Sequence, residues 1–189
     1  MNIIIVADIF GKTPGLIKLG EELSVDFIID PYDGKFINFD NEAQAYSYFT
    51  EHIGLDAYVE KLSQIIKQCS DEAILIGFSV GAAAIWRLSS SSSEKIERIV
   101  KHATCFYGSQ IRHSTELSPT FDIKLIFPKS EIHFDVNELK FILADKAKVK
   151  VLQVDYLHGF MNPYSKNFNQ AGYRLHVASL KQKLKKELE

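Results

Sequence analysis

Two cysteines, Cys69 and Cys105, are too few in 189 residues to build a disulfide scaffold. Both sit in apolar patterns and read as two buried thiols in a reducing compartment. Charge of one sign is also scarce. Twenty-two Lys and Arg face twenty-four Asp and Glu, for a net charge of -2. Phosphate binding needs a clustered basic excess, so no nucleic-acid partner is expected. A membrane-surface role is equally unsupported. No run approaches the roughly 18 apolar residues that span a bilayer, which argues against a membrane partner. Met1 to Ala7 is apolar but too short, and lacks the basic flank, for a secretory signal. No set of Cys and His has zinc-ligand spacing, so neither a metal nor an organic cofactor is expected. These absences predict a soluble, cytoplasmic protein. The length suits one domain over residues 1–189.

Apolar runs alternate with helical patterns along the chain. Asn2 to Ala7 is a continuous β-branched run, as in a parallel strand covered on both faces. Asp8 to Lys12 forms a loop, and Thr13 caps a helix with Pro14 at its first position. Leu16, Leu19 and Leu23 form its apolar stripe. Val25 to Ile29 is a second strand. Pro31 to Thr50 is less regular and rich in aromatics, which could wall a pocket or fill a core. Leu55, Val59, Leu62, Ile66 and Cys69 recur at spacings of 4, 3, 4 and 3, which predicts a helix. Ala73 to Phe78 is a third strand, with a helix from Val80 to Leu88 directly behind it. Ser89 to Ser93 reads as a surface loop. A short helix follows over Glu94 to Val100. Strands are predicted at His102 to Tyr107, Ile123 to Phe127 and Val149 to Val154, and helices at Asp135 to Leu143 and Asn169 to Glu187. Strands separated by helices imply a parallel sheet with ligands bound beyond the strand ends.

Gly77-Phe78-Ser79-Val80-Gly81 matches G-x-S-x-G between a strand and a helix, the context of a nucleophile elbow. A serine nucleophile needs a general base. Among the six histidines, His158 alone lies in the loop directly after the last strand, and Gly159 lets the loop turn. His133 is a reserve base, and His176 lies in the last helix as a structural residue. The acid belongs after Ile123 to Phe127, where Glu131 and Asp135 compete. Asp135 has a role of its own as a helix cap, so Glu131 is favoured and Asp135 is the reserve acid. Backbone N–H groups of Val80 and Ile9 would form the oxyanion hole. Asp8, Phe10, Phe78, Tyr107 and Phe160 are possible site-lining residues. Gly11-Lys12-Thr13 hints at a phosphate loop, but the earlier glycine that a Walker motif needs is Val6, inside the strand.

Four segments, VADIFG, GFSVGAAA, CFYGSQI and LHGFMNPYSKNFNQAGY, together resemble the dienelactone hydrolase family of α/β-hydrolases. The likeness extends over most of the chain. It implies a nucleophile at Ser79, a base at His158, an oxyanion donor at Ile9 and an acid at Glu131. Three positions depart from the family pattern. Ser79 stands where dienelactone hydrolases have cysteine, Asp8 where they usually have Glu, and Glu131 where the acid is usually Asp. Arg87, Arg98 and Arg112 match none of the arginines that hold a substrate carboxylate in that family.

The expected fold is thus a minimal α/β-hydrolase of about six mostly parallel strands, without a separate lid domain or the leading strands of larger members. The expected activity is cleavage of a small-molecule ester or lactone through an acyl-enzyme. Two alternatives stay open: a non-catalytic binding protein on this scaffold, and a thioesterase with the same triad. The sequence leaves the oligomeric state unknown.

Overall fold

Six parallel strands form one sheet in the order β2-β1-β3-β4-β5-β6. They are β1 (Asn2–Val6), β2 (Phe27–Ile29), β3 (Ala73–Phe78), β4 (Val100–Phe106), β5 (Asp122–Phe127) and β6 (Val149–Gln153). The structure, a computed structural model, describes residues 1–188. A parallel sheet covered on both faces needs apolar side chains on both faces of its strands. NIIIV and AILIGF supply them, and every residue of β3 is buried.

Helices cover the two faces. On one, α1 (Pro14–Leu23) and α7 (Gln170–Leu188) pack Leu19, Leu23, Val177 and Leu180 onto Ile5 and Ile76. On the other lie α2 (Glu42–His52), α3 (Gly54–Gln68), α4 (Val80–Leu88), α5 (Glu94–Ile99) and α6 (Val136–Ala144). Their core includes Phe49, Leu62, Trp86, Ile99 and Leu139. No helix among the described residues is long and apolar enough to cross a membrane.

The chain leaves β1 for β2 over one face and returns to β3 over the other. Val6 pairs with Ile29 on one side and with Gly77 on the other. The strand order therefore reverses between β1 and β3, which is where open parallel sheets bind ligands. Ser79 and the loop after β1 both occupy this point.

Several elements differ from the sequence expectation. The irregular stretch 31–50 contains most of α2. Ala45 and Phe49 are its only buried residues, so its apolar stripe is too sparse to show as a period. Its start was legible in Asn41-Glu42-Ala43-Gln44, a capping pattern. Asn41 Oδ1 accepts from Gln44 N at 3.0 Å, and Gln44 Oε1 accepts from Asp40 N at 2.7 Å. β2 begins at Phe27 rather than Val25. Ser89 is not a surface residue but the buried C-cap of α4. Its hydroxyl donates to Trp86 O at 2.6 Å, and its carbonyl accepts from Thr120 N at 2.7 Å. Only one of the two thiols is buried. Cys105 lies in β4, whereas Cys69 caps α3 and is half-exposed.

The start of α4 touches the end of β1. A Cβ on Gly81 would overlap the carbonyl oxygens of Val6 and Ala7. Val6 ends β1, and Ala7 follows it with its N–H bonded to Ile29 O, so neither can move without disturbing the sheet. Gly81→Ala should therefore cost about 2–3 kcal/mol in urea denaturation, and a variant as stable as wild type would show that the two elements can separate freely.

Candidate active site

β3 ends at Phe78 and α4 begins at Val80, so Ser79 makes the turn alone. Its backbone lies at φ 49° and ψ -113°. A side-chain-bearing residue in so sparsely populated a region stores about 1–3 kcal/mol. Two hydrogen bonds hold it there. Its N–H donates to Phe106 O at 3.0 Å, and its carbonyl accepts from Ala83 N at 3.0 Å. Gly77 must be bare, because a Cβ would come within 2.9 Å of the Ala82 backbone.

Ser79 Oγ lies 3.1 Å from His158 Nε2. His158 belongs to the loop after β6, which Gly159 bends at φ 83°. Asn167 Nδ2 donates to the His158 carbonyl at 2.9 Å. Asn162 Nδ2 donates to Asp8 Oδ2 at 2.6 Å and so ties this loop to the one after β1. The Tyr107 ring backs the imidazole at 4.9 Å.

His158 Nδ1 lies 2.7 Å from Glu131 Oε1. The two side chains are only 19% and 13% exposed, so solvent screens the pair little. A proton on Nδ1 donated to Glu131 leaves Nε2 free to accept from the Ser79 hydroxyl. Burial pushes the Glu131 carboxyl up. The hydrogen bond and charge of His158, the Ser109 hydroxyl and the Arg112 charge outweigh burial and hold it below its ordinary value. Asp135 is elsewhere, exposed and capping α6, where Oδ1 accepts from Asn137 N at 2.7 Å. The structure thus brings Glu131, not Asp135, to the imidazole. His133 is exposed. His176 is buried, with its ring 5.2 Å from Phe160.

Val80 opens α4, and Ile9 sits on the loop after β1 that Gly81 brings against the elbow. That loop is pinned on several sides. Tyr58 Oη donates to Ala7 O at 3.0 Å, and Tyr32 Oη donates to Ile9 O at 2.7 Å. Phe10 N donates to Asp8 Oδ1 at 2.9 Å, and Gly11 N donates to Asp8 O at 3.1 Å. Among the possible lining residues, Asp8, Phe78 and Tyr107 border a small cavity of about 10 Å³, room for one water at most. Phe160 is fully buried under Tyr107 and supports the site without lining it. Phe10 is buried, but its ring begins a chain that surfaces. It lies 6.2 Å from Tyr164, which lies 6.1 Å from Phe36, and both outer rings are exposed.

Sequence reasoning missed Ser109, Arg112, Tyr32 and Tyr58. Each reaches the site from an element distant in sequence. Only Ser109 carried a usable signal, since it stands just past the carboxyl end of β4. No group of three or more His, Cys, Asp or Glu among the described residues is arranged to hold a metal ion.

The sequence is 32% identical over 177 residues to the uncharacterized protein YczH of Bacillus subtilis (strain 168), spanning 89% of this chain and 85% of that one. The chain belongs to the YczH family. No family model matches it. Solved structures share its fold at low identity. The dienelactone hydrolase-like promiscuous phosphotriesterase P91, from metagenomic libraries, matches with a TM-score of 0.66 at 12% identity, over 98% of this chain and 85% of that one. Mouse α/β hydrolase domain-containing protein 10 matches at 0.65 and 11%, over 100% and 90%. An α/β serine hydrolase homologue from Coxiella burnetii matches at 0.61 and 12%, over 97% and 85%. This YczH relative therefore has the α/β-hydrolase fold.

Asp8 contrasts with Glu131. Burial pushes its carboxyl up to about 6, against the opposing pull of the Phe10 N–H, Asn162 and His158. Ionising it therefore costs more in the folded than in the unfolded chain. The stability it contributes is present below about pH 4 and is lost as pH rises through about 6. The loss is about 3 kcal/mol, from roughly two pKa units. Asp8→Asn does not ionise, so between pH 4 and 7 its stability relative to wild type should rise by that order. Urea denaturation across this range measures it, and a difference constant with pH would contradict the burial argument.

Proposed function

We propose that this chain is a serine hydrolase, similar to dienelactone hydrolases, that cleaves small carboxylic esters or lactones. The observation that carries this reading is the hydrogen-bonded line from Ser79 Oγ to His158 Nε2 and from Nδ1 to Glu131. Ser79 attacks the ester carbonyl while His158 takes its proton. Charge develops on the carbonyl oxygen, and the N–H groups of Ile9 and Val80 receive it. His158 then protonates the leaving alkoxide, and an acyl group stays on Ser79. Water enters, gives its proton to His158 and attacks the acyl carbon. The carboxylic acid leaves as Ser79 recovers its proton. Glu131 orients the imidazole throughout and stabilises its protonated form.

A neutral, compact substrate fits the surroundings best. Arg112 donates to Ser109 O at 2.7 Å and lies over the Phe134 ring at 5.2 Å, so it is engaged within the protein. The exposed rings of Phe36 and Tyr164 offer an apolar surface beside the His158 loop. P91 is described as a promiscuous phosphotriesterase, which makes a phosphotriester a useful member of a substrate panel.

A fluorophosphonate probe should label wild type and fail to label Ser79→Ala. His158→Ala should lower kcat on p-nitrophenyl acetate by at least about 10³-fold. A folded wild type that takes no label would leave only a binding protein on this scaffold. A panel of p-nitrophenyl esters, lactones, acyl-CoA thioesters and a phosphotriester then ranks the substrate classes, and a thioester turned over far faster than any ester would move the assignment to thioesterase.

A further inference from the structure

Resting on that reading, we propose that Ser109 is a positioning residue that completes the triad, clamping Glu131 against His158. Three atoms form a closed triangle. Ser109 Oγ lies 2.7 Å from Glu131 Oε1 and 3.0 Å from His158 Nδ1, and those two atoms lie 2.7 Å from each other. The proton count decides who donates. Nε2 must be bare to accept from Ser79, so Nδ1 carries the imidazole proton. That N–H points at the nearer acceptor, Glu131 Oε1. The carboxylate has no proton to give, so the Ser109 hydroxyl donates its own to the same oxygen. One carboxylate oxygen thus holds two donors, and the Ser109 oxygen is a second, longer acceptor for the Nδ1 proton.

The clamp answers a need created by the acid's length. Glutamate has one more rotatable bond than aspartate, so a single contact with His158 would leave its carboxyl poorly fixed. Ser109 supplies the second point. Its own position is set by the short 3₁₀ helix Ser109–His113. Arg112 of the same turn donates back to Ser109 O at 2.7 Å and is held over Phe134. Its charge also favours the anionic form of Glu131. The turn after β4 therefore presents a hydroxyl and a cation to one carboxylate on the loop after β5.

Removing the hydroxyl frees the carboxylate of one donor. It then becomes more basic, favours the imidazolium more strongly, and is less firmly placed. In Ser109→Ala, kcat on p-nitrophenyl acetate should fall about 10- to 150-fold, the range of a hydrogen bond to a charged group, with KM nearly unchanged. The acid limb of the kcat/KM profile should move to higher pH. Ser109→Thr keeps the hydroxyl and should recover most of the loss. In a Glu131→Gln background, Ser109→Ala should add little, because both changes strike the same contact. An equal loss in both backgrounds, a Thr variant as poor as Ala, or an unmoved acid limb would overturn the proposal.

A readout independent of turnover separates this proposal from the hydrolase reading. The low-field proton NMR signal of His158 Nδ1–H should persist in wild type and Ser109→Thr, and shift or broaden in Ser109→Ala. If wild type takes no fluorophosphonate label yet the signal behaves this way, the hydrolase reading fails and the clamp stands. If the label is taken but the signal is the same in Ser109→Ala as in wild type, the clamp fails alone.

Discussion

The close approach of Gly81 to the Val6 and Ala7 carbonyls is the constraint from which the site's arrangement follows. A bare Cα lets α4 begin directly over the end of β1. Ser79 can then sit on a one-residue turn, and the loop carrying Ile9 comes to lie beside it. A side chain at position 81 would push helix and strand apart and separate Ser79 from that loop. The strained backbone of Ser79 is tolerated because the sheet on one side and α4 on the other leave it no alternative path. In the proposed reaction, a backbone this constrained would cost the serine no reorganisation.

Around this fixed corner, two carboxylates receive opposite treatment. Glu131 is surrounded by donors and a cation, which outweigh its burial and favour the charge that an imidazolium needs. Asp8 is buried more completely, and its donors do not compensate. Its contacts go to the Phe10 N–H and the Asn162 side chain, which join the two loops flanking Ser79. One acid is thus matched to charge and the other to architecture, although both stand within the same small region.

What the sequence revealed follows the range of the interactions involved. The strands were legible because parallel sheets demand unbroken apolar runs, and NIIIV and AILIGF are such runs. α3 was legible from its repeating stripe, and α1 from Thr13 and Pro14 at its start. The elbow was legible because glycines two residues either side of Ser79 are a local requirement. α2 escaped because two buried residues cannot make a period. The choice between Glu131 and Asp135 could be argued from a cap, a local property, but the restraint on Glu131 could not. Ser109, Arg112, Tyr32 and Tyr58 act across strands; the place of Ser109 just past β4 pointed to the site, but nothing local named the carboxylate it would meet. The Ser89 to Ser93 run misled for the same reason, since Thr120 buries the Ser89 carbonyl from thirty-one positions away.

The order of the strands has a consequence for how the proposed site comes apart. β6 is the outer strand of the sheet on its side, paired to β5 alone, with Leu152 left 41% exposed. The His158 loop hangs from that strand, whereas Ser79 stands at the buried centre. Edge elements open with less free energy than the centre of a fold. The imidazole can therefore be withdrawn by a local opening that leaves β1, β3 and β4 intact. Heat or denaturant should silence such a site before the molecule as a whole unfolds. Under the proposed function, the working limit would then be set by the rim of the sheet, with Ser79 still correctly folded when His158 has left it.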